Sequence, residues 1–377
     1  MSLKVLFVVA SIVILSISII GSIAPQEKVP VIIGFKDKKD PDLIKENGGE
    51  IKREYTLINA IAAKLPKNKI EELKKNPKVA YVESDRIVQA LAETTPWGVT
   101  KINAPAVWQN TSTNKGTGIK VAILDTGIQS NHPDLINNIK GGVNFAGRPD
   151  GSTNPRYWTD KNGHGTHVAG IVAAVGDNDI GVIGVAPEAH LYAVKVLNNA
   201  GSGYTSDIIQ GLQWAADNAQ IASMSFGSSY YNQAEKDAID AARAKGLILI
   251  AAAGNSGDGN PSTNNVGYPA RYNNVIAVAA TNSNDVVASW SSDGLEVDVS
   301  APGVDILSTY KGSSYAYLSG TSMATPYVTG TVALMLKAGI SANDIQSKLQ
   351  ATAVDINAPG FDVFSGYGRI NAFSAIQ

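Results

Sequence analysis

Gly320-Thr321-Ser322-Met323-Ala324-Thr325-Pro326 sets one serine among small residues just ahead of a helix-like run, Val328 to Lys337. A bare serine hydroxyl is a poor nucleophile, so the stretch gains meaning only if a base and an orienting carboxylate lie elsewhere in the chain. The supply of bases is short. The 377 residues hold four histidines, His132, His164, His167 and His190. There is no cysteine, which excludes disulfides, thiolate zinc sites and a cysteine nucleophile together.

From Ala92 onward the chain alternates apolar strand-like runs with helical ones. Strands are expected at Lys120-Leu124, His190-Val196, Ile221-Ser225, Leu247-Ala252 and Val275-Ala280. Helices are expected near His164-Val175, Ser206-Asn218, Asn232-Lys245, Ser322-Lys337 and Ser341-Thr352. Near-continuous apolar strands interleaved with helices predict an α/β fold, a mainly parallel sheet with helices on both faces.

The chain ahead of Ala92 has a different texture. Met1 to Ala24 carries one lysine, Lys4, and then an uncharged run from Val5, the layout of a secretory signal. A run of about 20 apolar residues is also long enough to span a bilayer as an uncleaved anchor. Ser22-Ile23-Ala24 fits a small-x-small cleavage pattern, with Pro25 directly after it. From Lys28 to Gln89 the order reads β-α-β-β-α-β, with strands at Val29-Gly34, Glu50-Leu57, Asn59-Leu65 and Val79-Val82, which predicts a small α+β ferredoxin-like unit. Residues 25–91 carry a net charge of +3 and residues 92–377 a net of -6. Opposite signs favour association of the two parts, though salt screens a field of this size. The total is only -2, so no overall charge calls for nucleic acid or anionic lipid as a partner.

Three further motifs supply polar residues at strand ends or helix starts. Val121-Ala122-Ile123-Leu124-Asp125-Thr126-Gly127 is a strand ending in an acid, and in open α/β sheets ligands sit beyond the carboxyl ends of strands. The competing role for Asp125 is a turn cap before Gly127. Gly163-His164-Gly165-Thr166-His167-Val168-Ala169-Gly170 puts a histidine at the start of a helix of small residues, where His164 can serve as a general base. His164 and His167 at a spacing of three also allow zinc, but no glutamate lies between them and no third ligand is evident. Ala252-Ala253-Gly254-Asn255-Ser256-Gly257 closes another strand with an amide that either donates to a developing oxyanion or forms a turn.

Asp125, His164, Asn255 and Ser322, in that order, resemble the motifs of the subtilisin-like serine proteases over nearly all of Thr95 to Gln377. The α/β hydrolases differ in triad order and carry a G-x-S-x-G elbow that is absent here. The resemblance implies a serine endopeptidase in which Asp125 orients His164, His164 takes the proton of Ser322, and Asn255 with the Ser322 N–H receives the oxyanion. Turnover, rather than peptide binding alone, is expected because all four positions are present. It further implies that substrate backbone pairs with Ser225-Phe226-Gly227 on one side and Ser202-Gly203 on the other. Ala252, Gly254 and Gly267 would wall the pocket for the side chain before the scissile bond. Small residues there leave room for a large apolar or aromatic group. Ser223 stands where the family commonly has asparagine.

The same resemblance implies structural Ca2+, held by Asp134, by the loop containing Asp177, Asn178, Ile180 and Val182, and by Glu93 near the mature start. The loop is one residue longer than the common form, which leaves Asp177 and Asn178 as alternative ligands. The unit before Ala92 resembles the family's propeptide, which assists folding, inhibits the enzyme and is removed by self-cleavage, here between Leu91 and Ala92. The implied organisation is a signal peptide at 1–24, a propeptide at 25–91 and a catalytic domain at 92–377. A monomer acting on polypeptides outside the cell is expected, with membrane attachment only if the first segment stays uncleaved.

Overall fold

The computed structural model describes residues 27–85, 93–110, 114–146 and 152–377. The expected signal segment, 1–24, and the expected cleavage pair Leu91 and Ala92 lie outside the described residues. The chain divides into two compact units between Ala90 and Leu91.

In the smaller unit, strands β1 (Lys28–Phe35), β2 (Glu50–Glu54), β3 (Ala60–Pro66) and β4 (Val79–Ser84) form a sheet of order β2-β3-β1-β4. All three of its pairings are antiparallel. Alternate residues Val31, Ile33 and Phe35 of β1 are buried with Ile61, Ala63 and Leu65 of β3, as period-two packing on one covered face requires. The covering comes from helices Pro41–Glu46 and Ile70–Lys74, through Ile44 and Leu73. Asp40 fixes the start of the first by accepting from Leu43 N at 3.1 Å, with Pro41 pre-set in the first turn. This is the expected β-α-β-β-α-β unit.

The larger unit is built on a seven-stranded sheet containing β5 (Lys120–Asp125), β6 (Ile139–Asn144), β7 (His190–Lys195), β8 (Ile221–Met224), β9 (Ile248–Ala252), β10 (Val275–Thr281) and β11 (Val297–Pro302). Its order is β11-β10-β9-β8-β5-β7-β6, and every neighbouring pair is parallel. The sequence pattern did not mark β6 or β11. A separate antiparallel hairpin, β12 (Ile306–Tyr310) with β13 (Ser314–Leu318), follows.

Burial on both faces explains the apolar strands. Val121 and Ile123 of β5 pack with helices His164–Ala173 and Thr321–Lys337, while Ala122 and Leu124 pack with helices Thr205–Asn218 and Gln233–Ala244. Each aliphatic side chain buried in this way contributes about 1.5–3 kcal/mol, so a six-residue strand is held in fixed register. Asp125 follows the parity of Val121 and Ile123 and therefore turns to the face covered by the His164 helix.

Candidate active site

Asp125 and His164 meet where β5 ends and the 164–173 helix begins. The approach is close: a Cβ added at Gly165 would lie 2.2 Å from the Gly127 carbonyl, and one at Gly127, where φ is 103°, would lie 2.1 Å from the Trp158 carbonyl. Only glycines permit this contact. His164 Nδ1 then lies 2.8 and 3.0 Å from the two oxygens of Asp125, which is fully buried. Thr126 N–H also donates to Asp125 Oδ1 at 2.6 Å. Burial pushes the His164 pKa down, but the charge and hydrogen bond of Asp125, with a further contribution from Asp160, outweigh it and the net shift is upward. An imidazole donating Nδ1–H to a carboxylate keeps Nε2 as a proton acceptor.

Ser322 is the second residue of helix Thr321–Lys337. Pro326 sits inside that helix and has no N–H to offer the carbonyl four residues back, which is that of Ser322. Ser225 Oγ donates to that freed carbonyl at 2.9 Å, and Ser322 Oγ donates to the Ser225 carbonyl at 3.0 Å. No hydrogen bond joins Ser322 Oγ to His164 in this arrangement. Asn255 lies at the same helix start, its Oδ1 accepting from Thr321 N at 2.9 Å and from Thr321 Oγ1 at 3.0 Å. Both amide hydrogens of Asn255 are thereby left to donate elsewhere. Ser223 is fully buried, its hydroxyl accepting from Thr329 Oγ1 at 3.1 Å.

Sequence reasoning missed the group beneath this pair. Asp160 is 4% exposed and accepts from Thr126 Oγ1 at 2.9 Å, from Thr166 Oγ1 at 2.7 Å, and from the N–H groups of Asn162, Gly163 and Thr166. It therefore ties the end of β5 to the first turn of the 164–173 helix, whose N-terminal amides favour a negative charge. Lys195, buried at the end of β7, donates to the Thr126 carbonyl at 2.5 Å. The only sequence signal for Asp160 is an acid three residues before Gly163, the glycine that caps the helix.

His167 faces the other way. Its Nε2 lies 3.0 Å from the carbonyls of both Ile306 and Ala316, which fastens the β12–β13 hairpin to the helix. Burial holds its pKa down at about 4, so it is neutral. With Nε2 donating to two carbonyls, His167 does not converge with His164 on a metal.

One cavity adjoins the serine, and a second shares Phe226 and Gly227 with it. The first, of about 320 Å³, is lined by Phe226, Gly227, Ala252, Gly254, Gly267 and Ser322. The other, of about 410 Å³, is lined by Ser202 and Gly203 together with Phe226 and Gly227. The expected backbone-pairing segments thus border one continuous region, and neither is paired in a strand here.

The expected calcium residues assemble around Asp134. This buried carboxylate accepts from Asn178 Nδ2 at 2.7 Å and Val182 N at 2.9 Å, and burial raises its pKa. Glu93 Oε1 accepts from Asn178 N at 3.3 Å. The carbonyls of Ile180 and Val182 accept no hydrogen bond among the described residues. Asn178 Oδ1 accepts from Ile180 N at 3.0 Å, and a half turn of the amide would give up this bond and the one to Asp134 to set its oxygen beside that carboxylate, a set of oxygens that fits a hard cation. Asp177 is directed elsewhere, to Lys115 Nζ at 2.5 Å.

Comparison with known proteins gives this geometry its context. A model of the subtilase family (Peptidase S8) matches residues 116–368, and one of the peptidase inhibitor I9 family matches residues 28–91. The chain is 44% identical to subtilisin E of Bacillus subtilis (strain 168) over 356 residues, covering 92% of this chain and 90% of the relative. It is 43% identical to subtilisin J of Geobacillus stearothermophilus over 373 residues, covering 96% and 94%. It is 41% identical to M-protease of Shouchella clausii (strain KSM-K16) over 380 residues, again covering 96% and 94%. The chain belongs to the subtilase family and is a serine endopeptidase precursor that carries its own I9 inhibitor domain ahead of the protease.

Proposed function

We propose that Ser322 is the nucleophile of this protease, His164 its general base and Asp125 the residue that orients and charges the imidazole. The observation that carries the reading is the 2.8 Å contact of His164 Nδ1 with the buried Asp125 carboxylate, which makes Nε2 the ring's one lone pair. Substrate entry exchanges the Ser322–Ser225 hydrogen bond for one from Ser322 Oγ to Nε2, since such bonds tighten when the complex forms. Ser322 Oγ then bonds to the scissile carbonyl carbon as its proton passes to Nε2. The oxyanion is received by the Asn255 side-chain amide and by the Ser322 N–H, which in the first turn has no intrahelical partner. Collapse breaks the C–N bond, and Nε2 returns the proton to the leaving amine. Water, activated by the same imidazole, releases the acyl group.

The residues upstream of the scissile bond lie between Ser225-Phe226-Gly227 and Ser202-Gly203, bound mainly through main chain. The side chain before the scissile bond occupies the cavity of Ala252, Gly254 and Gly267, which suits a large apolar or aromatic group and has no charge for a basic one. Structural Ca2+ would be held by Asp134, Asn178 and Glu93 with the Ile180 and Val182 carbonyls, in preference to Asp177. It would supply fixed positive charge to the loop and to the adjoining Thr94 bridge.

The precursor is exported through residues 1–24, or stays anchored by them, and cuts itself between Leu91 and Ala92. The 25–91 propeptide then remains as a chaperone and inhibitor of a monomeric enzyme at 92–377. The test is Ser322→Ala, expected to give a folded, uncleaved precursor. Normal cleavage at Leu91-Ala92 in that purified variant, with no other protease present, would overturn self-processing.

A further inference from the structure

The larger of the two cavities contains a buried acid that the proposed mechanism does not use. Glu235, in the first turn of helix Gln233–Ala244, is 5% exposed. Its Oε2 accepts from Tyr272 OH at 3.1 Å, but that hydroxyl has one hydrogen and also faces the Asn232 carbonyl at 2.9 Å. Oε1 accepts nothing among the described residues. Among the described residues no cation pairs with this carboxylate either: Lys236 is held by Asp240 at 2.5 Å and Arg271 by Glu296 at 3.4 Å. Burial pushes the Glu235 pKa up, the mark of a carboxylate whose charge the protein alone does not compensate. A buried charge without a partner is costly, and a ligand of opposite sign relieves that cost.

The walls of the cavity narrow the choice of ligand. Leu197, Ile208 and Phe226 give it apolar sides, and Tyr230, Tyr231 and Tyr268 bring aromatic rings to the same space as Glu235. Tyr231 stands edge-on to Tyr268, with ring centroids 5.7 Å apart, and the Arg271 guanidinium already lies 5.9 Å from the Tyr268 ring centroid. An aliphatic stem ending in a cation matches these surroundings: the stem lies on apolar walls, and the charge meets ring faces and a carboxylate.

We propose that this cavity is a subsite for a lysine or arginine side chain of the polypeptide substrate, upstream of the scissile bond, with Glu235 as its specificity-determining residue. The proposal rests on the substrate path described above, because the cavity is bordered by Ser202, Gly203 and Gly227, the segments that flank the peptide in that reading. It gives the enzyme a selective position away from the scissile bond, in addition to the uncharged cavity beside Ser322.

The experiment uses mature enzyme and pairs of fluorogenic peptides that share one apolar residue before the scissile bond. Each pair differs by lysine against norleucine at the second, third or fourth residue before that bond. At one of these positions kcat/KM should favour lysine by about tenfold, the gain expected for a cation desolvated against aromatic faces. Glutamate at that position should be rejected. In Glu235→Gln the lysine-to-norleucine ratio should fall towards one, and in Tyr231→Leu it should fall part of the way. Each ratio is taken within one preparation, so losses in folding cancel. If Glu235→Gln does not fold, the wild-type ratio and the Tyr231→Leu ratio still decide. A wild-type ratio near one at all three positions, or an undiminished ratio in Glu235→Gln, overturns the subsite and leaves the protease reading standing. Failure of the wild type to cleave any of the peptides overturns both.

Discussion

Asp125 and Glu235 are both buried acids, and the fold provides for them differently. Asp125 ends β5 and finds its partners inside the protein: the Thr126 amide, the His164 ring and, through Thr126, the network of Asp160 and Lys195. Glu235, in the first turn of a helix on the opposite face of the sheet, finds among the described residues one shared tyrosine hydroxyl. A carboxylate satisfied within the fold raises the basicity of its neighbour and holds it in place. One left open towards a cavity has charge available for a ligand.

Breaking the Asp125 side of this comparison should have the largest consequences. Ser322→Ala or His164→Ala is expected to lower kcat for a peptide substrate by about 10⁴–10⁶-fold, the range general for serine-protease triads. Asp125→Asn should cost about 10⁴-fold, because an amide favours the wrong imidazole tautomer. Asn255→Ala should lower kcat by about 10²–10³-fold with little change in KM, as expected for a donor used only in the transition state. Steady-state kinetics measures all four, on variants whose residues 25–91 are removed in trans by a second protease that is then separated away.

A smaller effect sharpens the role of the network. In the proposed mechanism the base is neutral His164, whose pKa is raised above the ordinary histidine value of about 6.5. The acid limb of the kcat/KM profile should therefore have its midpoint above that value, with activity lost as pH falls through it. Asp160→Asn removes one of the two negative charges that raise the pKa, so the midpoint should move down. An unchanged midpoint with reduced activity would mean that Asp160 serves geometry alone. Away from both acids, chelating divalent cations should lower the thermal midpoint of the mature enzyme by about 5 °C or more, since loss of a bound ion shifts the folding equilibrium. Asp134→Ala should lower it without chelator and make it insensitive to calcium.

The parts of the molecule that the sequence made legible are those with local signals. β5, β7, β9 and β10 are aliphatic runs, and Asp125, His164, Asn255 and Ser322 each sit in a glycine-framed motif at the end or start of an element. β6 escaped because Lys140-Gly141-Gly142 breaks any apolar pattern. β11 escaped because Asp298 interrupts it, its carboxylate buried by accepting from Ala277 N, Gln346 and Gln350. Glu235 reads as an ordinary acid in a helix with a polar face. Its burial depends on Tyr272 and Tyr268, more than thirty residues away, and on how the helix packs beside them. Asp160 was hidden for the same reason: three of its partner residues, Asn162, Gly163 and Thr166, lie within six positions, but its significance comes from Thr126 on another element.

The most direct test of the central claim, that the Asp125–His164 pair activates Ser322, is the pH dependence of labelling by an active-serine phosphonylating probe, with the site located by mass spectrometry. Wild-type enzyme should be labelled at Ser322 alone, at a rate that rises with pH through a midpoint above about 6.5, and both His164→Ala and Asp125→Asn should abolish or greatly slow it. Labelling at another serine, or at Ser322 with a rate indifferent to pH and to loss of His164, would contradict the account.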